Sequence, residues 1–116
     1  MSDPYIAERA IVLAAGRGER MRPLTDEMPK PMVRVDGRRI IDTLLAALVA
    51  AGIPEIYVVR GYLGEKFDAL KEEYPTLHFI DNPHWHEANN ISSLLAAGDL
   101  VENAFVVEGD LFLQNP

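Results

Sequence analysis

Residues Ile11 to Ala14 read Ile-Val-Leu-Ala, four consecutive apolar positions with no polar side chain to turn toward water. A strand of this kind is buried on both faces, which places it inside a parallel sheet covered by helices. The rest of the chain supplies those partners. Ile40 to Ala51 sets Ile40, Ile41, Leu44, Leu45, Leu48 and Val49 at helical spacing, with Gly52 just past the end for a left-handed turn and Pro54 beyond it. Glu55 to Arg60 is a β-branched strand, and Glu65 to Tyr74 is an amphipathic helix with Phe67 and Leu70 on its inner face. Leu77 to Ile80 reads as a third strand, Asn90 to Leu100 as a helix capped by Asn89 or Asn90, and Ala104 to Glu108 as a fourth strand. Strands alternating with helices at these lengths predict an α/β fold with a mainly parallel sheet, flanking helices and right-handed crossovers. The sequence stops a few residues after the fourth strand, where such a sheet still has apolar surface to cover. We therefore expect either the first half of a larger domain or a chain that pairs with another copy.

The 116 residues are 48% hydrophobic and 25% charged, enough apolar side chain to bury a core. No apolar run approaches the roughly 20 residues of a membrane span, and the first ten residues lack the basic start and apolar middle of a signal peptide. A cytoplasmic protein with no membrane partner is the expectation. Zero cysteines exclude disulfides, thiolate metal sites and cysteine nucleophiles. A formal net charge of −7 argues against nucleic acid as a partner, because phosphate backbones are held non-specifically by basic surfaces. The charge is unevenly spread, however. Between residues 17 and 39, Arg17, Arg20, Arg22, Lys30, Arg34, Arg38 and Arg39 face only Glu19, Asp26, Glu27 and Asp36. A basic segment in an acidic chain points to a small anion as ligand.

That segment lies in an unusually long connection. Strand-to-helix loops in α/β units take two to six residues, whereas this one runs from about Ala15 to Arg39, and loops of such length are usually functional. Gly16 and Gly18 let main-chain N–H groups approach a ligand with no side chain between, which makes an anion cradle. Arginine forks suit phosphate oxygens, while Lys30, held between Pro29 and Pro31, is a positioned point charge. Two familiar phosphate loops do not fit. Met21 stands where GxGxxG needs its third glycine, the second strand ends at Arg60 where a ribose-binding acid belongs, and no GxxxxGK followed by Ser or Thr occurs.

The run LAAGRGERMRPLTDEMPKP, Leu13 to Pro31, resembles the signature of nucleotidyltransferases that join a nucleoside triphosphate to a phosphorylated small molecule, sugar-phosphate nucleotidylyltransferases among them. Further on, VVRGYLGEKFDALKEEYP, NNISSLLAA and VVEGDLFLQN are similar in order and spacing to bacterial phosphocholine cytidylyltransferases, whereas sugar-phosphate relatives carry a glutamine-containing segment where this chain has EANNISSL. The resemblance covers about residues 9 to 115. It implies a Rossmann-like, nucleotide-diphospho-sugar transferase-like fold, of which residues 1–116 would be the N-terminal nucleotide-binding part. It also implies CTP or another nucleoside triphosphate as substrate, Mg²⁺ as cofactor, and phosphocholine or a similar small phosphorylated or phosphonate compound as acceptor.

Carried over by position, the resemblance implies that Ala14, Ala15, Gly16 and Gly18 line the nucleotide. Arg20 would hold the β and γ phosphates and Lys30 would neutralise the α-phosphate during attack. Asn89, Asn90 and Ser92 would contact the base and ribose region, and Asp110 would bind Mg²⁺. A second magnesium-binding aspartate and most of the acceptor pocket normally lie beyond the part of the family present here. Arg17 is grouped with the nucleotide contacts, although by itself it reads first as a solvated or structural charge, as do Arg22, Arg34, Arg38 and Arg39. Asp110 read alone is a turn residue after a strand, and Asn89, Asn90 and Ser92 read alone cap a helix, a role compatible with ligand contact. His84, His86 and Glu87 suggest a metal site but lack a further partner at a suitable spacing, so Trp85 between them reads as an apolar plug in a loop; Tyr62 and Phe67 read as core. Two rival functions stay open: a sugar-1-phosphate nucleotidylyltransferase, and a non-catalytic nucleotide-binding module or fragment of a longer fusion enzyme.

Overall fold

The computed structural model describes residues 9–16, 23, 26–86, 91–101 and 104–109. Four parallel strands form the sheet: β1 (Arg9–Leu13), β4 (Glu55–Arg60), β5 (His78–Asp81) and β6 (Ala104–Glu108), in the order β5-β4-β1-β6. Strand β1 lies inside, with Leu13 opposite Val59 on one side and Glu108 on the other. Its alternation serves two cores. Ala10, Val12 and Ala14 pack on one face with Ile41, Leu44, Leu45 and Leu48 of helix α1 (Ile40–Ala50) and with Phe67 and Leu70; Ile11 and Ala15 pack on the other with Val59 and Ala97. Each fully buried aliphatic or aromatic side chain contributes about 1.5–3 kcal/mol, so the apolar run that follows Arg9 in β1 is what makes two helix layers stable together.

Helix α2 (Leu70–Glu73) follows β4 on the face of α1, and α3 (Ile91–Ala97) returns across the opposite face to β6. The first two crossovers therefore step away from β1 in one direction and the third steps back past it. The order reverses between β1 and β6, and open α/β sheets bind ligands outside the carboxyl ends of their strands at such a reversal.

The segment after β1 holds structure that its sequence hides. Lys30–Met32 form a short 3-10 turn, and Arg34–Val35 (β2) pair antiparallel with Arg38–Arg39 (β3). Asp36 at φ 53° and Gly37 at φ 83° make the two-residue connection, the pair of left-handed conformations that a tight hairpin requires. The expected helix from Glu65 to Tyr74 is wound as a 3-10 turn over Gly64–Ala69 before the four residues of α2. Leu63 at φ 50° starts it, and i to i+3 bonds from Gly64 N–H to Gly61 O (3.0 Å) and from Lys66 N–H to Leu63 O (2.9 Å) tighten it. Helix α3 likewise gives way at Gly98, φ 59°, to a 3-10 turn over Gly98–Val101. No described helix is long and apolar enough to cross a membrane.

Candidate functional site

At the carboxyl end of β1 the main chain is tied to both neighbours. Ala14 N–H donates to Val59 O at 2.9 Å, Gly109 N–H donates to Leu13 O at 2.8 Å, and Tyr62 N–H donates to Ala15 O at 3.0 Å. Ala14 and Ala15 are buried, one toward each core, so their small size is a packing requirement whatever else they touch. Gly109 explains the first: a Cβ there would stand 3.0 Å from Ala14 Cβ and 3.2 Å from Leu13 O. Gly16 is different. It is exposed, its φ lies outside the left-handed region, and a Cβ built on it meets no described heavy atom within 4 Å. Nothing in the described fold requires a glycine there.

Lys30 opens the 3-10 turn. Pro29 before it is fully buried and extended (φ −64°, ψ 147°), Pro31 and Met32 after it are buried, and Met32 N–H and Val33 N–H donate to Pro29 O (2.9 Å) and Lys30 O (3.1 Å). Val33 O then accepts from Ile40 N–H at 2.9 Å, at the start of α1. Lys30, half-buried as a residue, is thus carried on a turn whose flanks are packed into the core. Upstream, the hydroxyl of Tyr62 donates to Asp26 O at 3.3 Å.

Ser92 sits at the start of α3 with little exposure, 8%, and within a polar network. Asn82 Nδ2 donates to Ser92 Oγ and Ser93 Oγ, both at 3.0 Å; Ser92 Oγ donates to His84 O at 3.2 Å; and Asn82 Oδ1 accepts His84 N–H at 2.9 Å. The Ser92 hydroxyl is therefore engaged in holding the turn after β5. A cleft of about 390 Å³ opens beside this network, lined by Asn82, Pro83, His84, Ser92, Leu95 and Ala96. Trp85 lies against Gly61 and Tyr62, as an apolar plug should. No three His, Asp or Glu side chains gather into a metal site among the described residues.

The remaining basic residues separate by partner. Arg39 is buried at the start of α1; its N–H and Nε bond Asp42 (3.0 and 2.9 Å), and Nη2 pairs with Asp42 Oδ1 (2.8 Å) and Glu73 Oε2 (2.5 Å). Burial works to lower its pKa, but the hydrogen bonds and charge of Asp42, with Glu73, outweigh it, so the guanidinium is held charged more firmly than usual. Arg60 at the end of β4 bonds Asp81 (2.6 Å) and Asp68 (2.7 Å) and lies 4.4 Å from the centre of the Phe79 ring. Desolvation again opposes, and the two carboxylates again prevail. Arg34 Nη1 donates to Gly37 O at 2.9 Å across the hairpin, and Arg38 is exposed. Arg39 and Arg60 are structural charges.

Of the site residues expected from sequence, Ala14, Ala15 and Gly16 lie together at the carboxyl end of β1, Lys30 is on the anchored turn, and Ser92 is at the start of α3. Arg17, Gly18, Arg20, Asn89, Asn90 and Asp110, with Arg22 and Glu87, lie outside the described residues. Two organising residues went unremarked: Asn82, whose Asn-Pro step after a strand signals a turn closed by its own side chain, and the hydroxyl of Tyr62, which nothing in the sequence distinguishes from a core ring.

Residues 10–116 match the MobA-like NTP transferase domain family. A 2-aminoethylphosphonate cytidylyltransferase of Lancefieldella rimae is 46% identical over 108 residues, 91% of this chain and 44% of the relative. A choline-phosphate cytidylyltransferase of Streptococcus pneumoniae is 37% identical over 105 residues, 90% of this chain and 45% of the relative. The solved CTP:phosphocholine cytidylyltransferase of Streptococcus pneumoniae superposes with a TM-score of 0.87 at 37% identity, covering 95% of this chain and 48% of that one. The chain thus spans about half the length of the curated relatives it matches.

Proposed function

From the premise that the chain belongs to the MobA-like NTP transferase domain family, we propose that it is the N-terminal nucleotide-binding part of a cytidylyltransferase. The reaction moves a cytidylyl group from CTP to a small phosphorylated or phosphonate amine, of the kind that phosphocholine and 2-aminoethylphosphonate represent, and releases pyrophosphate. The single observation that carries this reading is the pairing of an exposed Gly16, for which the described fold has no steric use, with Lys30 on a turn whose flanks are buried. A main-chain cradle and a fixed cation are what triphosphate recognition needs.

In this mechanism an acceptor oxygen attacks the α-phosphorus in line, the bond to the bridging oxygen breaks, and pyrophosphate departs with the electron pair. The Gly16 amides hold the phosphate chain, Arg20 holds its β and γ groups, and the Lys30 ammonium meets the negative charge that grows at the α-phosphate. Ala14, Ala15, Arg17 and Gly18 border the nucleotide, and Asn89, Asn90 and the α3 start near Ser92 border its base and ribose. Asp110 follows Gly109, which is packed against Ala14, and a carboxylate beyond the end of the strand beside β1 is a hard-oxygen donor suited to Mg²⁺. When bound, that ion would supply further neutralisation of phosphate charge. A cytoplasmic location belongs to the same reading.

Thermal shift with CTP, UTP, dTTP and GTP, followed by pyrophosphate release with phosphocholine, 2-aminoethylphosphonate and a sugar 1-phosphate, tests it. CTP is expected to give the largest shift, and an amine-bearing acceptor the fastest release. A preference for UTP or dTTP with a sugar 1-phosphate would replace it with the sugar-nucleotide function. CTP binding without pyrophosphate release from any acceptor, in the chain and in a chain extended by a second half like that of its relatives, would replace it with a non-catalytic nucleotide-binding module.

A further inference from the structure

Three strand exits meet at Tyr62. Its N–H donates to Ala15 O, in the turn that follows β1, at 3.0 Å. Its hydroxyl donates to Asp26 O at 3.3 Å, four residues before Lys30. Its ring lies 5.3 Å from that of Trp85, in the turn after β5, tilted by 56°. Trp85 is seated so closely on Gly61 that a Cβ there would fall 2.3 Å from Trp85 Cβ. Tyr62 itself is buried, where a hydroxyl bond is less readily exchanged for one to water.

Downstream of Lys30 the chain is anchored by buried Pro31 and Met32; upstream, the bond from Tyr62 holds Asp26. We propose that Tyr62 is a positioning residue for the nucleotide. By holding Ala15 through its main chain and Asp26 through its hydroxyl, it sets where Lys30 stands relative to the Gly16 amides, and its ring transmits that placement to Trp85. The proposal rests on the nucleotide-binding reading above. A triphosphate gripped by groups from two parts of one loop binds well only if both are fixed beforehand, because any ordering left to the moment of binding is subtracted from affinity.

Trp85 is the chain's one tryptophan, so its emission reports on this place without a label. CTP is titrated into the wild-type chain, into Tyr62→Phe, and into Tyr74→Phe as a hydroxyl removal elsewhere. Trp85 fluorescence and the heat of binding are followed in parallel, below the melting midpoint of each variant. CTP is expected to shift Trp85 emission in the wild type. Tyr62→Phe should keep the fold and weaken CTP affinity about fivefold, the worth of one neutral hydrogen bond, while Tyr74→Phe leaves affinity within about twofold, inside the spread of a single such bond. If Tyr62→Phe lowers only the melting midpoint and binds CTP as tightly as the wild type, the tyrosine is merely structural and the proposal fails with the functional reading intact. Calorimetric binding with no change in Trp85 emission overturns the transmission to Trp85. A wild-type chain that gives no heat with CTP overturns the nucleotide reading itself.

Discussion

Lys30 is the side chain on which catalysis would depend most. An ammonium contributes to catalysis only where it meets more charge in the transition state than in the bound substrate. The α-phosphate in transfer is such a place, as is the bridging oxygen that leaves on the β-phosphate, whereas the γ-phosphate carries its charge throughout. Lys30→Ala is therefore expected to lower kcat by roughly a hundredfold, as loss of one preorganised electrostatic group does, and to raise the CTP dissociation constant far less. Pyrophosphate-release kinetics beside equilibrium CTP binding decide it: equal losses in both would assign Lys30 to ground-state binding. Gly109 and Gly61 show how differently glycines work here, one admitting Ala14 and the other Trp85, while a Cβ on Gly16 would meet no described atom within 4 Å.

Among the elements, the four strands and α1 were readable because burial on one or two faces writes a period into the sequence: apolar runs for the sheet, a 3.6-residue spacing for Ile40 to Leu48. The β2–β3 hairpin was not, since strands of two residues carry no period and its Asp36-Gly37 turn sits among charges that read as a ligand loop. The Gly64–Ala69 turn was missed because 3-10 and α windings share the same inward Phe67 and Leu70. For the candidate site, Gly16 and Lys30 stand out in the sequence by type and spacing, but the Tyr62 hydroxyl and the Asn82 network depend on contacts between distant segments. The start of α1 and the end of α2 make a further prediction. Burial, then the charges of Asp42 and Glu73, raise the pKa of half-buried Tyr74 above its ordinary 10.0. The unfolded chain releases that proton first, so stability is intact below about pH 10 and falls as pH rises toward the native value. Melting midpoints of the wild type and Tyr74→Phe from pH 8 to 11 should show the variant losing less on the alkaline side; parallel curves would remove Tyr74 as a source of alkaline sensitivity.

For the whole molecule, the exposed outer rim is as informative as the core. β6 closes one side of the described sheet with Phe105 52% and Val106 38% exposed, although both belong to an apolar strand paired to β1. A second half like that of the relatives, or another copy, would cover it. The 116-residue chain alone should bind a hydrophobic dye and associate as its concentration rises, and Phe105→Lys should reduce both, because a charge on an exposed edge strand discourages pairing. A chain that sediments as a monomer throughout, without dye uptake, would show that this face tolerates water. The nucleotide site stands or falls on the Gly16 main chain and Lys30 converging on one triphosphate. In a crystal structure with CTP bound, phosphate oxygens are expected within about 3 Å of both the Gly16 amide and Lys30 Nζ; a nucleotide seated elsewhere, with Nζ directed away from it, would overturn that convergence.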